Sequence, residues 1–235
     1  MVAGSGGTRW VDVSAERFPG WVASFAQRHG DHGDSAPLAV ALAAGGATFT
    51  AADGAVAECH PPFPESFAPP PEPAGPDEVA AAIAAHASAP RAVGVLLVRL
   101  GGYAAGVFTG YPPALADSKV GSRLVHGRSA AGGWSQQRFA RRREKQANEA
   151  LDAAAAVAAA VFGRWAATPG GRLDAVVLGG DKRTAAELRG DPRLAPYLAI
   201  ATGRFLTVPD PKRAVLEGTP RLFTAVRIRL TDPPA

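Results

Sequence analysis

A proline-rich segment from Pro61 to Pro76 constrains the fold of this chain more than any other feature. Eight of its sixteen residues are proline. Proline lacks a backbone N–H and clashes with the preceding helical turn, so this segment cannot form a regular helix or a central strand. It predicts a boundary between an N-terminal α+β subdomain, residues 1–76, and a larger second domain, residues 77–235.

The N-terminal subdomain is predicted to combine one helix with a small meander of strands. A strand at residues 10–13 precedes apolar residues that recur at helical spacing from Phe18 to Ala26 and stop before Gly30. Three short β-rich segments, separated by glycine-containing turns, follow at residues 38–43, 47–50 and 56–59.

The second domain alternates between predicted strands and helices. Its clearest element is a hairpin, with arms at 93–100 and 103–109 around Gly101-Gly102. A long helix is expected to begin at Ser135, which is a favourable capping residue, and to reach Trp165. The remaining predicted strands are residues 120–126, 173–178 and 222–230, and the remaining helices are residues 77–87, 181–188 and 212–217. The fold class is therefore α+β, with a mixed sheet in an α/β arrangement.

Composition excludes several classes of protein. With 47% hydrophobic and 20% charged residues the chain can bury a full core. No apolar run approaches the roughly 20 residues that a bilayer span needs, and the N-terminus shows no secretory signal, so we expect no membrane contact. A single cysteine, Cys59, excludes an internal disulfide and fits a reducing cytoplasm.

Positive charge is concentrated between Lys119 and Gln146, where eight basic residues and one acidic residue give a net charge of +7. The whole chain carries only +4, so the remainder is acidic. Such a cluster favours a polyanionic partner, although a basic helix start is also typical of a solvated helix face. The predicted RNA-binding residues are Arg128, Arg138, Arg141, Arg142, Arg143 and Lys145.

A glycine-rich, glutamine-bearing loop lies inside this basic cluster, in the order Gly132, Gly133, Trp134, Ser135, Gln136, Gln137. Adjacent glycines allow a backbone to approach a partner closely, and a glutamine amide can orient a water molecule. Glutamine does not titrate, so catalysis here depends on positioning water and stabilising an oxyanion, as in ester hydrolysis. The alternative is a plain connector before a helix. Trp134 suits stacking on an RNA base or anchoring of the loop to the body of the protein.

Two other motifs are weak. Cys59-His60 has no second Cys/His pair at a suitable spacing, so no metal site is expected. The segment Gly179-Gly180-Asp181-Lys182 lacks the full spacing of a phosphate-binding loop, and Asp181 is better interpreted as a helix N-cap. We expect no nucleotide hydrolysis and no cofactor.

The run from Gly127 to Ala147, GRSAAGGWSQQRFARRREKQA, resembles the signature of the Vms-like release factors, in particular their actinobacterial branch. That family is related to the catalytic domain of eukaryotic-type peptide-chain release factors. The resemblance extends over residues 92–230 and includes the segment from Val176 to Lys182.

The resemblance implies a cytoplasmic factor of ribosome rescue and quality control that enters the peptidyl transferase centre of the large subunit. There it contacts rRNA and hydrolyses the ester of peptidyl-tRNA. The catalytic glutamine is then Gln136, with Gln137 as the alternative, on a loop formed by residues 132–135. Ordinary release factors have Gly-Gly-Gln contiguous, whereas Trp134 and Ser135 separate Gly133 from Gln136 here. Cleavage of the tRNA near its CCA end, or ribosome binding without catalysis, are the alternative functions. No codon-reading domain is evident, which implies action on stalled or split ribosomes.

Overall fold

The computed structural model describes residues 7–30, 38–99, 101–122 and 135–233, and of residues 135–143 it describes the backbone only. The described strands are β1 Thr8–Val13, β2 Ala39–Ala43, β3 Gly46–Thr50, β4 Val56–His60, β5 Arg91–Arg99, β6 Gly102–Gly110, β7 Ala114–Ser122, β8 Ala175–Gly180, β9 Ala201–Leu206 and β10 Val226–Thr231. The described α-helices are α1 Phe18–Arg28, α2 Pro76–Ser88, α3 Ser135–Ala166, α4 Lys182–Glu187, α5 Ala195–Leu198, α6 Arg213–Glu217 and α7 Pro220–Phe223.

The chain forms two compact units, which we call unit 1 and unit 2. Unit 1 consists of Met1–Ala89 and Arg221–Ala235, and unit 2 consists of Pro90–Pro220. Within the described residues each unit contains one five-stranded sheet.

Unit 1 has an antiparallel sheet with strand order β1-β10-β4-β3-β2. Apolar residues at helical spacing bury one face of α1, where Phe18, Val22 and Phe25 are almost fully shielded from solvent. Alternate residues of the strands, such as Phe49 and Ile228, are buried in the same unit. The result is a layer of helices on one small sheet.

Unit 2 has a mixed sheet with strand order β7-β6-β5-β8-β9. β5 pairs antiparallel with β6 and parallel with β8, so the carboxyl ends of β5 and β8 lie at the same edge. The second half of α3 contributes Ala154, Ala158 and Phe162 to the core of this unit. A Cβ atom at Gly94 would lie 3.1 Å from Cε1 of Phe162, so a glycine in β5 makes room for that ring.

Most of the predicted elements are confirmed, including the three-stranded meander, the β5–β6 hairpin and the long helix α3. The fold class, α+β with a mixed sheet, is also confirmed. β7 begins at Ala114, earlier than the predicted residue 120, because this edge strand has few apolar residues to mark it. β9 was not predicted. Among the described helices, none is both long and apolar enough to cross a membrane.

The two units differ from the predicted division between residues 76 and 77. α2 belongs to unit 1, where it packs against α1. β10 also belongs to unit 1, because it pairs with both β1 and β4. A proline-rich segment indicates where regular structure stops along the chain, but it does not show with which layer the following helix packs.

Candidate functional site

Eight of the predicted functional residues lie at the start of α3. Ser135, Gln136 and Gln137 form its first turn, and Arg138, Arg141, Arg142, Arg143 and Lys145 occupy the following turns. The predictions for Arg128, Gly132, Gly133 and Trp134 fall outside the described residues, as do the side chains of residues 135–143. Their roles stay predictions.

The backbone of α3 makes its first turn an electropositive site. The first four N–H groups of a helix have no carbonyl partner within the helix, and the helix dipole places partial positive charge there. Ser135, predicted as the capping residue, is the first helical residue, a difference of one position that is ordinary at helix ends. Gln136 and Gln137 therefore lie where an anion or a developing oxyanion is favoured.

Four of the basic residues share one face of α3. Arg138, Arg141, Arg142 and Lys145 are spaced i, i+3, i+4 and i+7, which are neighbouring positions on a helix surface. We call these four positions the basic stripe. It is about 10 Å long at 1.5 Å per residue. Arg143 lies on a different face of the helix.

Gln136 lies on the face of α3 opposite to the basic stripe. It precedes Ala147 by eleven residues, which is about three helical turns, so the two positions are in line. Ala147 is half-buried and Ala150 is buried on the same side of α3. Gln137 is displaced from this line by one residue, or about 100°. The two glutamines therefore lie on different faces of α3. Gln136 is in line with the face on which Ala147 and Ala150 are shielded from solvent.

The basic stripe ends abruptly after Lys145. The Lys145 ammonium is exposed and lies 4.0 Å from the Glu149 carboxylate, a weak pair at i, i+4. One turn later Asp152 accepts a 2.7 Å hydrogen bond from Arg193. Because the next charges on this side are acidic, a polyanion is attracted more strongly to the first three turns of α3 than to the turns that follow.

α3 is held firmly in the second half of its length. Arg164 donates two hydrogen bonds to Asp117 of β7, at 2.9 and 3.0 Å, in a bidentate pair that fixes the helix against that strand. These bonds raise the pKa of the Arg164 guanidinium.

Charge is divided between the two units. Unit 1 contains six basic and eleven acidic residues, a net charge of −5, whereas unit 2 contains nineteen basic and ten acidic residues, a net charge of +9. A contrast of this size favours contact of a polyanion with unit 2. The division that the sequence predicts, between residues 76 and 77, gives the same two net charges, because residues 77–89 add −2 to unit 1 and residues 221–235 add +2.

The weak motifs have structural roles. β8 ends at Gly180, whose φ of +101° favours glycine, and Asp181 then caps α4. The Asp181 carboxylate accepts hydrogen bonds from the Thr184 N–H at 2.8 Å and from its hydroxyl at 2.7 Å. These bonds, the backbone one first, lower the pKa of Asp181.

Cys59 is a buried thiol of β4 whose pKa is raised by burial, and its Sγ lies 3.7 Å from the Ala57 carbonyl oxygen. Neighbouring His60 has its ring 5.7 Å from Trp10. Within the described ranges no group of three His, Cys, Asp or Glu side chains is arranged to hold a metal ion.

One feature of unit 2 has no signature in the sequence. A pocket of about 370 Å³ is lined by Arg99 and Tyr103 together with residues of α3 and α4. These residues are distant in sequence and form no motif, so only the tertiary structure could bring them together.

A family model described as the Actinobacteria/chloroflexi VLRF1 release factor matches residues 91–229. The match covers more than half of the chain and includes β5 to β9 and most of β10. A comparison with the curated proteins gives no match.

Several solved structures are similar at low identity. An archaeal translation termination factor, aRF1, is 17% identical with a TM-score of 0.41 over 73% of this chain and 48% of the factor. The mitochondrial localization core of Vms1 is 9% identical with a TM-score of 0.36, over 77% of this chain and 75% of that one. The chain thus spans about half the length of the archaeal factor, and these scores are too low to carry an argument about function.

Proposed function

Because the chain belongs to the Actinobacteria/chloroflexi VLRF1 release factor family, we propose that it hydrolyses peptidyl-tRNA and frees nascent chains from stalled ribosomes. The observation that carries the proposal is the start of α3. There Gln136 lies in the electropositive first turn, and the basic stripe follows within three turns.

In the proposed reaction, water attacks the carbonyl carbon of the ester that joins the peptide to the tRNA 3′ end. The bond from that carbon to the ribose oxygen breaks, the ribose oxygen takes up a proton, and the peptide leaves as a carboxylic acid. Gln136 has no titratable group, so its amide orients the water and does not deprotonate it. The positive end of the α3 dipole stabilises the charge that develops on the carbonyl oxygen.

The proposed partner is the large ribosomal subunit at the peptidyl transferase centre. The basic stripe contacts phosphates of rRNA or of the tRNA, which fixes the position of the helix start relative to the ester. Unit 2 carries this contact because its net charge is +9, whereas unit 1 is acidic. The reaction takes place in the cytoplasm, where peptidyl-tRNA is bound to ribosomes.

The proposal is tested with large subunits that carry labelled peptidyl-tRNA. Wild-type protein, Gln136→Ala and Gln137→Ala are mixed with these subunits, and both the label and the tRNA 3′ end are followed. Gln146→Ala, a matched change further along α3, serves as the control. We expect free peptide and an intact CCA end with the wild type, loss of at least 100-fold in rate with Gln136→Ala, and little change with Gln137→Ala or the control.

Two outcomes would replace this function by another. Peptide that stays joined to a trimmed nucleotide fragment would identify a nuclease that cuts near the CCA end. Equal binding by all the variants with no cleavage by any of them would identify a ribosome-binding module without catalysis. A large loss with Gln137→Ala alone would move the catalytic role to that residue.

A further inference from the structure

The face of α3 that carries Gln136 contains one charged residue, Arg143. Each residue turns an α-helix by about 100°, so Arg143, seven positions after Gln136, lies about 20° from it around the helix axis. The two positions are about 10 Å apart along that axis. As far as Ala154, the other positions of α3 within about 60° of Gln136 carry no charge; they are Phe139, Ala140, Ala147, Ala150, Leu151 and Ala154.

The same face packs on the protein from Ala147 onward. Ala147 is half-buried, and Ala150 and Ala154 are buried in unit 2. A ligand that lies at Gln136 and follows this face of the helix therefore meets Arg143 before it meets the body of unit 2. Arg143 is the cation that α3 offers to such a ligand.

The acidic residues of unit 2 next to this face have other partners. Asp181 and Glu187 line the pocket together with Ala147. The Asp181 carboxylate accepts the two hydrogen bonds from Thr184, and the Glu187 carboxylate lies 3.6 Å from Arg183. A guanidinium group also matches a phosphate in bidentate fashion, which favours a nucleic-acid phosphate as the counterion of Arg143.

The basic stripe lies on the other side of α3. Arg141, which belongs to the stripe, is about 160° from Arg143 around the helix axis. A helix with its side chains is about 10 Å across, so a nucleic-acid segment beside Gln136 and a segment on the stripe are separated by the width of α3. The stripe and Arg143 therefore contact different parts of the ribosomal complex.

We propose that Arg143 is a positioning residue, which binds a backbone phosphate of the single-stranded tRNA 3′ end while the basic stripe binds rRNA. The inference rests on the proposed function, because it takes Gln136 as the residue at the ester. Phosphates follow one another every few ångströms along a nucleic-acid strand, so a phosphate of the last nucleotides of the tRNA falls near position 143. The contact fixes where the ester lies relative to Gln136, and Arg143 does not touch the ester itself.

The test compares empty large ribosomal subunits with subunits that carry deacylated tRNA at the peptidyl transferase centre. Binding of the full chain is measured at 0.1 M salt, where one phosphate contact with a single strand is worth about fivefold in affinity. We expect the wild type to bind the tRNA-carrying subunits about fivefold more tightly than the empty ones. Arg143→Gln should lose this gain and keep its affinity for empty subunits within about twofold of wild type.

Two further variants separate this contact from other effects of a lost charge. Arg141→Gln, the matched control on the stripe, should weaken binding to both kinds of subunit by the same factor and keep the gain. Arg143→Lys keeps the charge and should keep a gain of at least about twofold. With peptidyl-tRNA as substrate, Arg143→Gln should lower the rate of release at saturating protein at least about tenfold, whereas Arg172→Gln, at an exposed position elsewhere in unit 2, should leave it unchanged.

Several results would overturn the proposal. They are a wild type without the tRNA-dependent gain, an equal loss of affinity for both kinds of subunit in Arg143→Gln, and loss of the gain in Arg141→Gln. Loss of the gain in Arg143→Lys as well as in Arg143→Gln would identify a structural role and would also overturn it. The binding measurement uses deacylated tRNA and needs no ester cleavage, so failure of this proposal is distinguishable from failure of the proposed hydrolysis.

Discussion

Removal of two charges from the basic stripe should weaken ribosome binding and make the affinity less dependent on salt concentration. The change is Arg138→Gln together with Arg142→Gln, two positions one turn apart on the same face of α3. The matched control is Arg172→Gln with Arg189→Gln, two exposed arginines elsewhere in unit 2. Both pairs lower the net charge by the same amount, so a difference between them reports position and not total charge.

The size of the effect follows from counterion release. Each phosphate contact contributes about 0.7 to 0.9 to the slope of log affinity against log salt concentration. If both arginines contact phosphates, the slope falls by about 1.4 to 1.8. At 0.1 M salt this corresponds to an affinity about 25- to 60-fold weaker than wild type, and the loss disappears near 1 M.

The assay is a salt titration of labelled protein binding to purified large ribosomal subunits. The control pair should change the slope little, because those arginines lie outside the stripe. Equal slopes for the two double variants would refute the reasoning, since binding would then depend on net charge alone. An unchanged slope in the stripe variant would show that these positions contact no phosphate.

Two further substitutions test which contacts stabilise unit 2. Phe162→Ala should lower the free energy of unfolding by about 3 to 5 kcal/mol, because the ring is buried against Gly94 in the core of unit 2. Denaturant titration measures this loss, and a loss below about 1 kcal/mol would contradict that packing. Asp181→Ala should cost about 1 kcal/mol at pH 7, the usual loss for a helix cap. The pKa of Asp181 is lowered, so its stabilisation is complete above the ordinary carboxyl pKa of about 3.9 and is lost as pH falls through the lower folded value. Unfolding midpoints of both proteins from pH 7 to pH 3 should therefore converge only below about pH 4, and convergence at higher pH would exclude this role.

Much of the local structure was predictable because it depends on neighbouring residues. The β5–β6 hairpin follows from two β-rich runs around glycines, and α1 follows from apolar spacing that stops before Gly30. β7 begins six residues before its predicted start and β9 was not predicted, because both are edge strands of their sheet and have few fully buried residues. Edge strands carry a weak hydrophobic signal.

The residues of the candidate site were predictable from the sequence, whereas their arrangement on the faces of a helix follows from the backbone of α3. Arg138, Arg141, Arg142 and Lys145 were predicted as RNA-binding without an order among them, and α3 places them on one face. The resemblance implies Gln136 as the catalytic residue, with Gln137 as the alternative, and the helix aligns only Gln136 with Ala147. The catalytic assignment itself stays a prediction, which the release assay tests.

The sequence by itself determined the concentration of positive charge before Ala147, the long helix that carries it and the family signature in the same run. Each of these depends on residues that are close together along the chain. Only the tertiary structure decided that β10 belongs with β1 and β4, so that the last strand of the chain completes the sheet of unit 1. It also decided that β5 pairs with β8, which brings Arg99 and Asp181 to one pocket. The physical reason is that strand pairing and helix packing join segments far apart in sequence, and a local hydrophobic pattern does not specify its distant partner.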